Sequence, residues 1–417
     1  MKVDLIIYNI GELVAFDGEG PYSRVRPDNA GIRHNAGIAV RDGVIVDVSS
    51  SEDVRWRYEP ERVIDAEGLL VTPGLVDIHT HLVFAGSRED EFELKLSGAT
   101  YSEILERGGG IYRTVRMTKQ ASDEELIDRA LRILDLMARG GTTTVEVKSG
   151  YGIDVDEEYR LIRVIREIST RSKQLIIPTL LAHVPPRDQD RRTYVSMFKE
   201  LIGRVASEGL AVYVDVFCDK GAFTVEESME IIESGLEKGL KARIHADQLE
   251  YIGCSKLAGR YPIDSVEHLE KMPGENAEIL LQSGSIAGLL PTSIIAMMDP
   301  SRPPVRELKR KGVPIAIGSD YNPNNQTPLV QTAMDISTYL LGLTPLEALA
   351  AATVNAAYSL GVGDRVGSIR KGYRADIVVW EVENYRWIGY TWGYNKALYT
   401  IIGGRHIVPS SRSGLLD

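Results

Sequence analysis

Cysteine is almost absent: Cys218 and Cys254 are the only two in 417 residues. Two thiols so far apart in sequence exclude a disulfide framework and a cysteine-based zinc site, so each is expected to pack in the core. Positive charge is also short. With 48 Lys and Arg against 59 Asp and Glu, the formal charge is −11, which serves solubility and leaves no basic surface for the phosphates of a nucleic acid. Long apolar runs are missing too, since none approaches the ~20 residues needed to span a bilayer. The opening residues, Met1-Lys2-Val3-Asp4, lack a basic leader followed by an apolar stretch. The expectation is a cytoplasmic protein with no membrane partner.

What is present suits a large buried core: 43% of residues are hydrophobic and 26% charged, ordinary for a globular protein. The length exceeds the ~100–200 residues of a typical domain, while α/β barrels run to ~250 residues as one. One barrel with a smaller companion fits best.

The first 73 residues read as short β segments: 3–9, 37–49 around an Asp42-Gly43 turn, and 62–71. Asp-Gly between alternating apolar runs is a strong hairpin signal. The end of the chain repeats this style at 373–382 and 397–408. Residues 1–73 with 362–417 are therefore expected to form one small β-sandwich domain.

Between them, residues 74–361 alternate short apolar runs with amphipathic stretches. The runs are 74–78, 142–147, 175–182, 211–217, 241–245, 263–267, 285–290 and 314–319. Helical spacing recurs at 122–139, 155–170, 193–208, 224–238 and 301–312. The first of these opens on Ser122 with Glu125 three residues on, the spacing of a capping box. Eight strands with intervening helices predict a TIM-like (β/α)8 barrel, whose active site lies at the C-terminal strand ends.

Five of the seven histidines fall at such ends: His79 and His81 after the first strand, His183 after the third, His245 after the fifth and His268 after the sixth. Asp320 closes the eighth. His34, in a loop of the β-domain, and His406 are expected to be structural or solvated. Alternate residues of an extended segment share a side, so His79 and His81 form half of a metal site, completed by His245 and Asp320. Three imidazoles and a carboxylate suit one divalent or trivalent ion, zinc or iron. Such an ion lowers the pKa of water from 15.7 to roughly 7. Two-metal barrels need a bridging Lys at a middle strand end. Here strand 4 ends in Phe217-Cys218-Asp219 with Lys220 already in the loop, and Lys148 ends strand 2, so one ion is expected.

The order His-x-His, His, His, Asp across eight strands, flanked by a split β-domain, resembles the amidohydrolase superfamily. Residues 73–100 (PGLVDIHTHLVFAGSREDEFELKLSGAT), 108–114 (GGGIYRT), 145–152 (VEVKSGYG), 182–186 (AHVPP), 214–221 (VDVFCDKG), 244–249 (IHADQL) and 320–323 (DYNP) look like the imidazolonepropionases, ring-opening enzymes of histidine degradation. PGLVDIHTHL is generic to the superfamily; FAGSREDEFELKLSGATY and VEVKSGYG are specific.

The resemblance implies hydrolysis of 4-imidazolone-5-propanoate to N-formimidoyl-L-glutamate, a small-molecule substrate, and a homodimer. Asp320 would be ligand and general base together, and His268 would polarise the ring carbonyl. Arg88 suits bidentate binding of the propanoate. Tyr151 and His183 resemble the family's other substrate contacts. Gln248 stands three residues after His245, where deaminases of the superfamily need a titrating Glu; an amide cannot titrate but can hold the ring by hydrogen bonds. Asn322 carries over. Asn324 stands where Gly is expected, in a loop one residue longer, and with Asn325 would reach the carboxylate; the segment 291–300 departs from the family pattern. Two alternatives stay open: another mononuclear amidohydrolase, such as an aromatic or nucleobase deaminase, and a barrel that has lost catalysis.

Overall fold

The computed structural model describes residues 1–98, 103 and 108–410. Residues 99–101 of the family-like stretch and the end of the chain beyond 410 lie outside that description. Among the described residues no helix is long and apolar enough to cross a membrane.

The chain opens with β1 (Lys2–Val14), β2 (Ile32–Arg41), β3 (Val44–Ser50), β4 (Glu59–Asp65) and β5 (Leu70–Pro73). It returns at the end with β14 (Ile377–Trp380), β15 (Ala397–Ile402) and β16 (His406–Pro409). These eight strands form one mixed sheet in the order β16-β15-β14-β5-β1-β2-β3, with β4 also pairing β1. The two chain ends meet where β14 pairs antiparallel with β5, Ile377 opposite Pro73. An apolar cluster drawn from both ends, with Leu5, Ile7, Ile38, Val71, Ile377 and Ile401 fully buried, packs the sheet.

The Asp42-Gly43 turn forms as expected, both residues at positive φ. The run expected at 62–71 is instead two strands, divided where Glu67 and Gly68 turn at positive φ. Ser50 caps an unforeseen helix, Ser51–Arg57, by accepting from the backbone of Asp53. His34 sits in β2, not in a loop, with Nδ1 3.0 Å from the Gly11 carbonyl.

The barrel strands are β6 (Leu75–Asp77), β7 (Thr142–Lys148), β8 (Leu175–Ala182), β9 (Tyr213–Cys218), β10 (Lys241–Ala246), β11 (Ile263–His268), β12 (Ile286–Leu289) and β13 (Ile315–Ile317). All neighbours are parallel and in sequence order. Strands covered on both faces read as near-continuous apolar runs, which is why each run is visible in the sequence. A parallel bridge between Thr80 and Tyr321 joins the first and last strands. It lies at the end where the histidines cluster.

Helices follow the strands with side-chain caps that satisfy their first backbone N–H groups. Ser122–Glu125 makes the expected capping box on Asp123–Arg139, and Thr224–Glu227 another on Val225–Glu237. The helix expected at 301–312 starts only at Val305, because Pro303 and Pro304 hold the preceding residues extended.

The two cysteines are joined, which corrects the expectation of separate core thiols. Cys218 ends β9, and Cys254 opens the short turn Cys254–Gly259 after β10. Because Ala246 of β10 pairs with Cys218, the loop leaving β10 folds back over the end of its neighbour. Distance along the chain said nothing about distance across adjacent strands.

Candidate active site

Four side-chain atoms converge at the C-terminal mouth of the barrel. Nε2 of His79 lies 3.2 Å from Nε2 of His81, which lies 3.5 Å from Nε2 of His245. Asp320 Oδ1 is 3.6 Å from His79 Nε2 and 3.7 Å from His81 Nε2. Bonds of about 2.1 Å to a tetrahedral ion put its ligand atoms about 3.4 Å apart. The His79–His81, His81–His245, His79–Asp320 and His81–Asp320 separations lie near that edge.

Second partners fix how these rings face. His79 Nδ1 lies 2.6 Å from Glu267 Oε2, so its proton points to the carboxylate and Nε2 presents a lone pair. Asp215 Oδ2 stands 3.0 Å from His245 Nδ1. Burial and neighbouring charge hold His79 and His81 well below the ordinary histidine pKa, which favours the neutral rings that can ligate a metal. A cation between the three rings would accept the lone pairs that neutral imidazoles turn inward. Among the described residues four buried carboxylates, Glu146, Asp215, Glu267 and Asp320, gather here with the buried cations of Lys148 and Arg243. Burial pushes Glu146 and Asp77 up to about 7. The site fits a divalent metal ion.

The backbone is strained where two of these groups are presented. Asp320 has φ +46° and His268 φ +76°, left-handed conformations that cost a β-carbon residue of order 1–3 kcal/mol and gather at functional sites. His268 packs against His79 and His245, ring centroids 5.3 Å from each. Burial opposes its protonation, but Glu270, 3.6 Å from Nδ1, with Asp320 and Glu267 beyond, holds its pKa above the ordinary value.

The expected substrate contacts divide into two groups. His183 stacks on His81 at 5.1 Å between centroids, and Tyr151 lies 5.4 Å from His183 and 5.8 Å from His81, so both line the histidine cluster. His183 Nδ1 faces the Gly150 carbonyl at 3.1 Å, and burial pushes its pKa down to about 3. Gln248 is half-buried in the loop after β10, where Asp219 carboxylate oxygens accept the backbone N–H groups of Gln248, Leu249 and Glu250.

Arg88, Asn324 and Asn325 line a separate cavity of about 480 Å³ with Phe92, Thr292 and Ile295. Glu91 Oε2 accepts from Arg88 Nε at 2.7 Å. Among the described residues the Nη groups of Arg88 make no hydrogen bond, and Arg88 lines this cavity. Asn324 Oδ1 accepts from Lys95. Asn325 turns its amide inward, donating to the carbonyls of Ser319 at 2.9 Å and Asp320 at 3.1 Å; it shapes the loop behind Asp320. Asn322 Oδ1 accepts the backbone N–H of Asn324 at 2.8 Å and of Asn325 at 3.0 Å. The unassigned segment 291–300 contains the helix Pro291–Met297, whose Thr292 hydroxyl donates to the Ser319 carbonyl.

Sequence reasoning missed the carboxylates beneath the ligands. The signal was available: Val76-Asp77-Ile78, Val145-Glu146-Val147, Val214-Asp215-Val216 and Val266-Glu267-His268 each set one acid inside an apolar strand, where an unpaired charge is costly.

Over residues 70–407 the chain matches the Amidohydrolase family. It is 49% identical to an imidazolonepropionase of Pyrobaculum arsenaticum over 370 residues, 89% of this chain and 92% of that one. It is 41% identical to an imidazolonepropionase of Symbiobacterium thermophilum, across 98% of both chains. Among solved structures, an atrazine chlorohydrolase from Arthrobacter aurescens TC1 complexed with zinc superposes with TM-score 0.76 at 16% identity, over 99% of this chain and 97% of that one. An adenosine deaminase from Xanthomonas campestris with bound zinc gives 0.71 at 20%, over 97% and 92%. At such identities the two structures speak for the fold alone.

Proposed function

The chain belongs to the amidohydrolase family and, within it, to the imidazolonepropionases, and on that premise we propose that it hydrolyses 4-imidazolone-5-propanoate to N-formimidoyl-L-glutamate in histidine degradation. The observation that carries this reading is the convergence of His79, His81, His245 and Asp320 at metal-ligand spacing. The nearby cavity, in which a buried arginine faces the room a propanoate needs, adds to it.

Those four residues would hold one ion, zinc or iron, which would supply Lewis acidity and lower the pKa of water to roughly 7. Asp320 turns Oδ1 to the ligands and to Asn322. Oδ2, which accepts no hydrogen bond among the described residues, takes the proton of the attacking water and returns it to the leaving ring nitrogen. His268, whose pKa Glu270 raises against the effect of burial, donates to the ring carbonyl and stabilises the charge that develops on its oxygen. Tyr151 and His183 position the ring. Gln248 offers it an amide donor and acceptor. Arg88 takes the propanoate, and Asn322, Asn324 and Asn325 shape and line the loop that faces it.

The same reading divides the chain into 1–73 with 362–417 and 74–361, following sheet membership, and takes the cytoplasm as compartment and a homodimer as assembly. Deamination is the other chemistry such a ligand set supports, and no feature of this site favours it, since Gln248 cannot carry a proton to a leaving amine.

The test is absorbance of the imidazolone substrate with metal-loaded protein before and after chelation. Loss of absorbance that stops on chelation and returns with added metal is expected. No turnover by protein shown to be metallated would overturn the assignment.

A further inference from the structure

Beneath the candidate ligands lies a charged cluster with no exposure to solvent: Lys148, Glu146, Asp215, Arg243 and Glu267. Lys148 Nζ donates to Asp215 Oδ2 at 2.7 Å and to Glu146 Oε1 at 2.8 Å, and stands 3.3 Å from Glu267 Oε2. Two of those oxygens are the ones that face the ligand rings. Asp215 Oδ2 lies 3.0 Å from His245 Nδ1, and Glu267 Oε2 lies 2.6 Å from His79 Nδ1.

The third carboxylate reaches the segment between the other ligands. Glu146 Oε2 accepts from the Thr80 backbone at 3.3 Å, and the Thr80 hydroxyl donates to the Glu146 carbonyl at 2.6 Å. Arg243 holds the opposite oxygen of Glu267 and the carbonyl of Ile78.

We propose that Lys148 is a positioning residue for the metal site, its single ammonium fixing the two carboxylates that orient the His79 and His245 rings and, through Glu146, the turn that carries His81. This rests on the reading that those histidines and Asp320 hold the ion. Partners behind ligating histidines set ring direction and basicity, and their loss typically costs about 10–100-fold in metal affinity. Here one cation serves two such partners. Without it, three buried carboxylates share Arg243 alone and repel one another, so both rings lose their fixed orientation. An arginine could not substitute, because a planar fork cannot place one donor atom among three converging oxygens.

The experiment measures metal affinity and ligand geometry rather than turnover. Wild type, Lys148→Met and Lys148→Gln are compared, metal-free, by circular dichroism, then titrated with Zn²⁺ against a competing chelator and loaded with Co²⁺. Both variants are expected to fold, to bind Zn²⁺ about 10–100-fold more weakly and to show displaced Co²⁺ visible bands. Folded variants with wild-type affinity and an unchanged Co²⁺ spectrum would overturn the proposal. Failure of both to fold without metal would also overturn it, by making Lys148 a residue of the fold. A wild type whose Zn²⁺ affinity is indifferent to His79→Ala would instead overturn the ligand assignment on which the proposal rests.

Discussion

Asn322 Nδ2 donates to Asp320 Oδ1 at 2.8 Å, and that oxygen is the one that lies 3.6 Å and 3.7 Å from the Nε2 atoms of His79 and His81. One carboxylate oxygen is thereby turned to the histidine cluster, and the proposed mechanism gives the other the proton transfer. Asp320→Asn keeps the shape and removes the base, so kcat is expected to fall by about 10²–10⁴-fold while the far-ultraviolet spectrum stays unchanged. Steady-state kinetics on metal-loaded protein checks this, and substantial residual turnover would remove Asp320 from the role of base.

In the proposed mechanism His268 acts only as charge builds on the carbonyl oxygen. His268→Asn is therefore expected to lower kcat by about 10²–10³-fold, with KM within a few-fold of wild type. An effect on KM alone would mean that His268 binds the ground state instead.

The Arg88 guanidinium is held through Nε by Glu91, which leaves its outer fork for a carboxylate. Arg88→Ala should raise KM about 10–100-fold, as expected for loss of hydrogen bonds between charged groups. Arg88→Lys should recover little of it, because a point charge does not reproduce a bidentate fork. An unchanged KM would take Arg88 out of the site.

The disulfide closes a loop of sequence separation 36 and pins the end of β9, the neighbour of the strand that bears His245, to the segment after Gln248. Constraining a loop of this size typically stabilises by about 2–4 kcal/mol. Cys254→Ser is expected to lower the denaturation midpoint accordingly, and reductant should shift the wild type by the same amount but leave the variant unmoved. Equal midpoints in all four conditions would contradict the bond's contribution.

Much of this architecture is legible because local physics and topology agree. Each barrel strand is buried on both faces, so runs such as 175–182 and 263–267 stand out and match β8 and β11 to within a residue. Ser122 and Glu125 mark a helix start because the cap is a local hydrogen-bond pair. The histidines stand out because strand order alone puts every strand end at one mouth. What was not legible depends on neighbours distant in sequence. The Cys218–Cys254 bond follows from β9 lying beside β10, and the direction of the Asn325 amide follows from the path of the loop behind Asp320. The network around Lys148 combines both cases: each acid is conspicuous inside its apolar strand, yet only the closed barrel brings Glu146, Asp215 and Glu267 around one ammonium.

The most direct test of the proposed reaction is identification of the product formed from 4-imidazolone-5-propanoate by metal-loaded protein, using mass spectrometry together with an ammonia assay. N-formimidoyl-L-glutamate, the substrate plus one water, formed without ammonia is the predicted result. Release of ammonia, or recovery of unchanged substrate, would contradict ring-opening hydrolysis at this site.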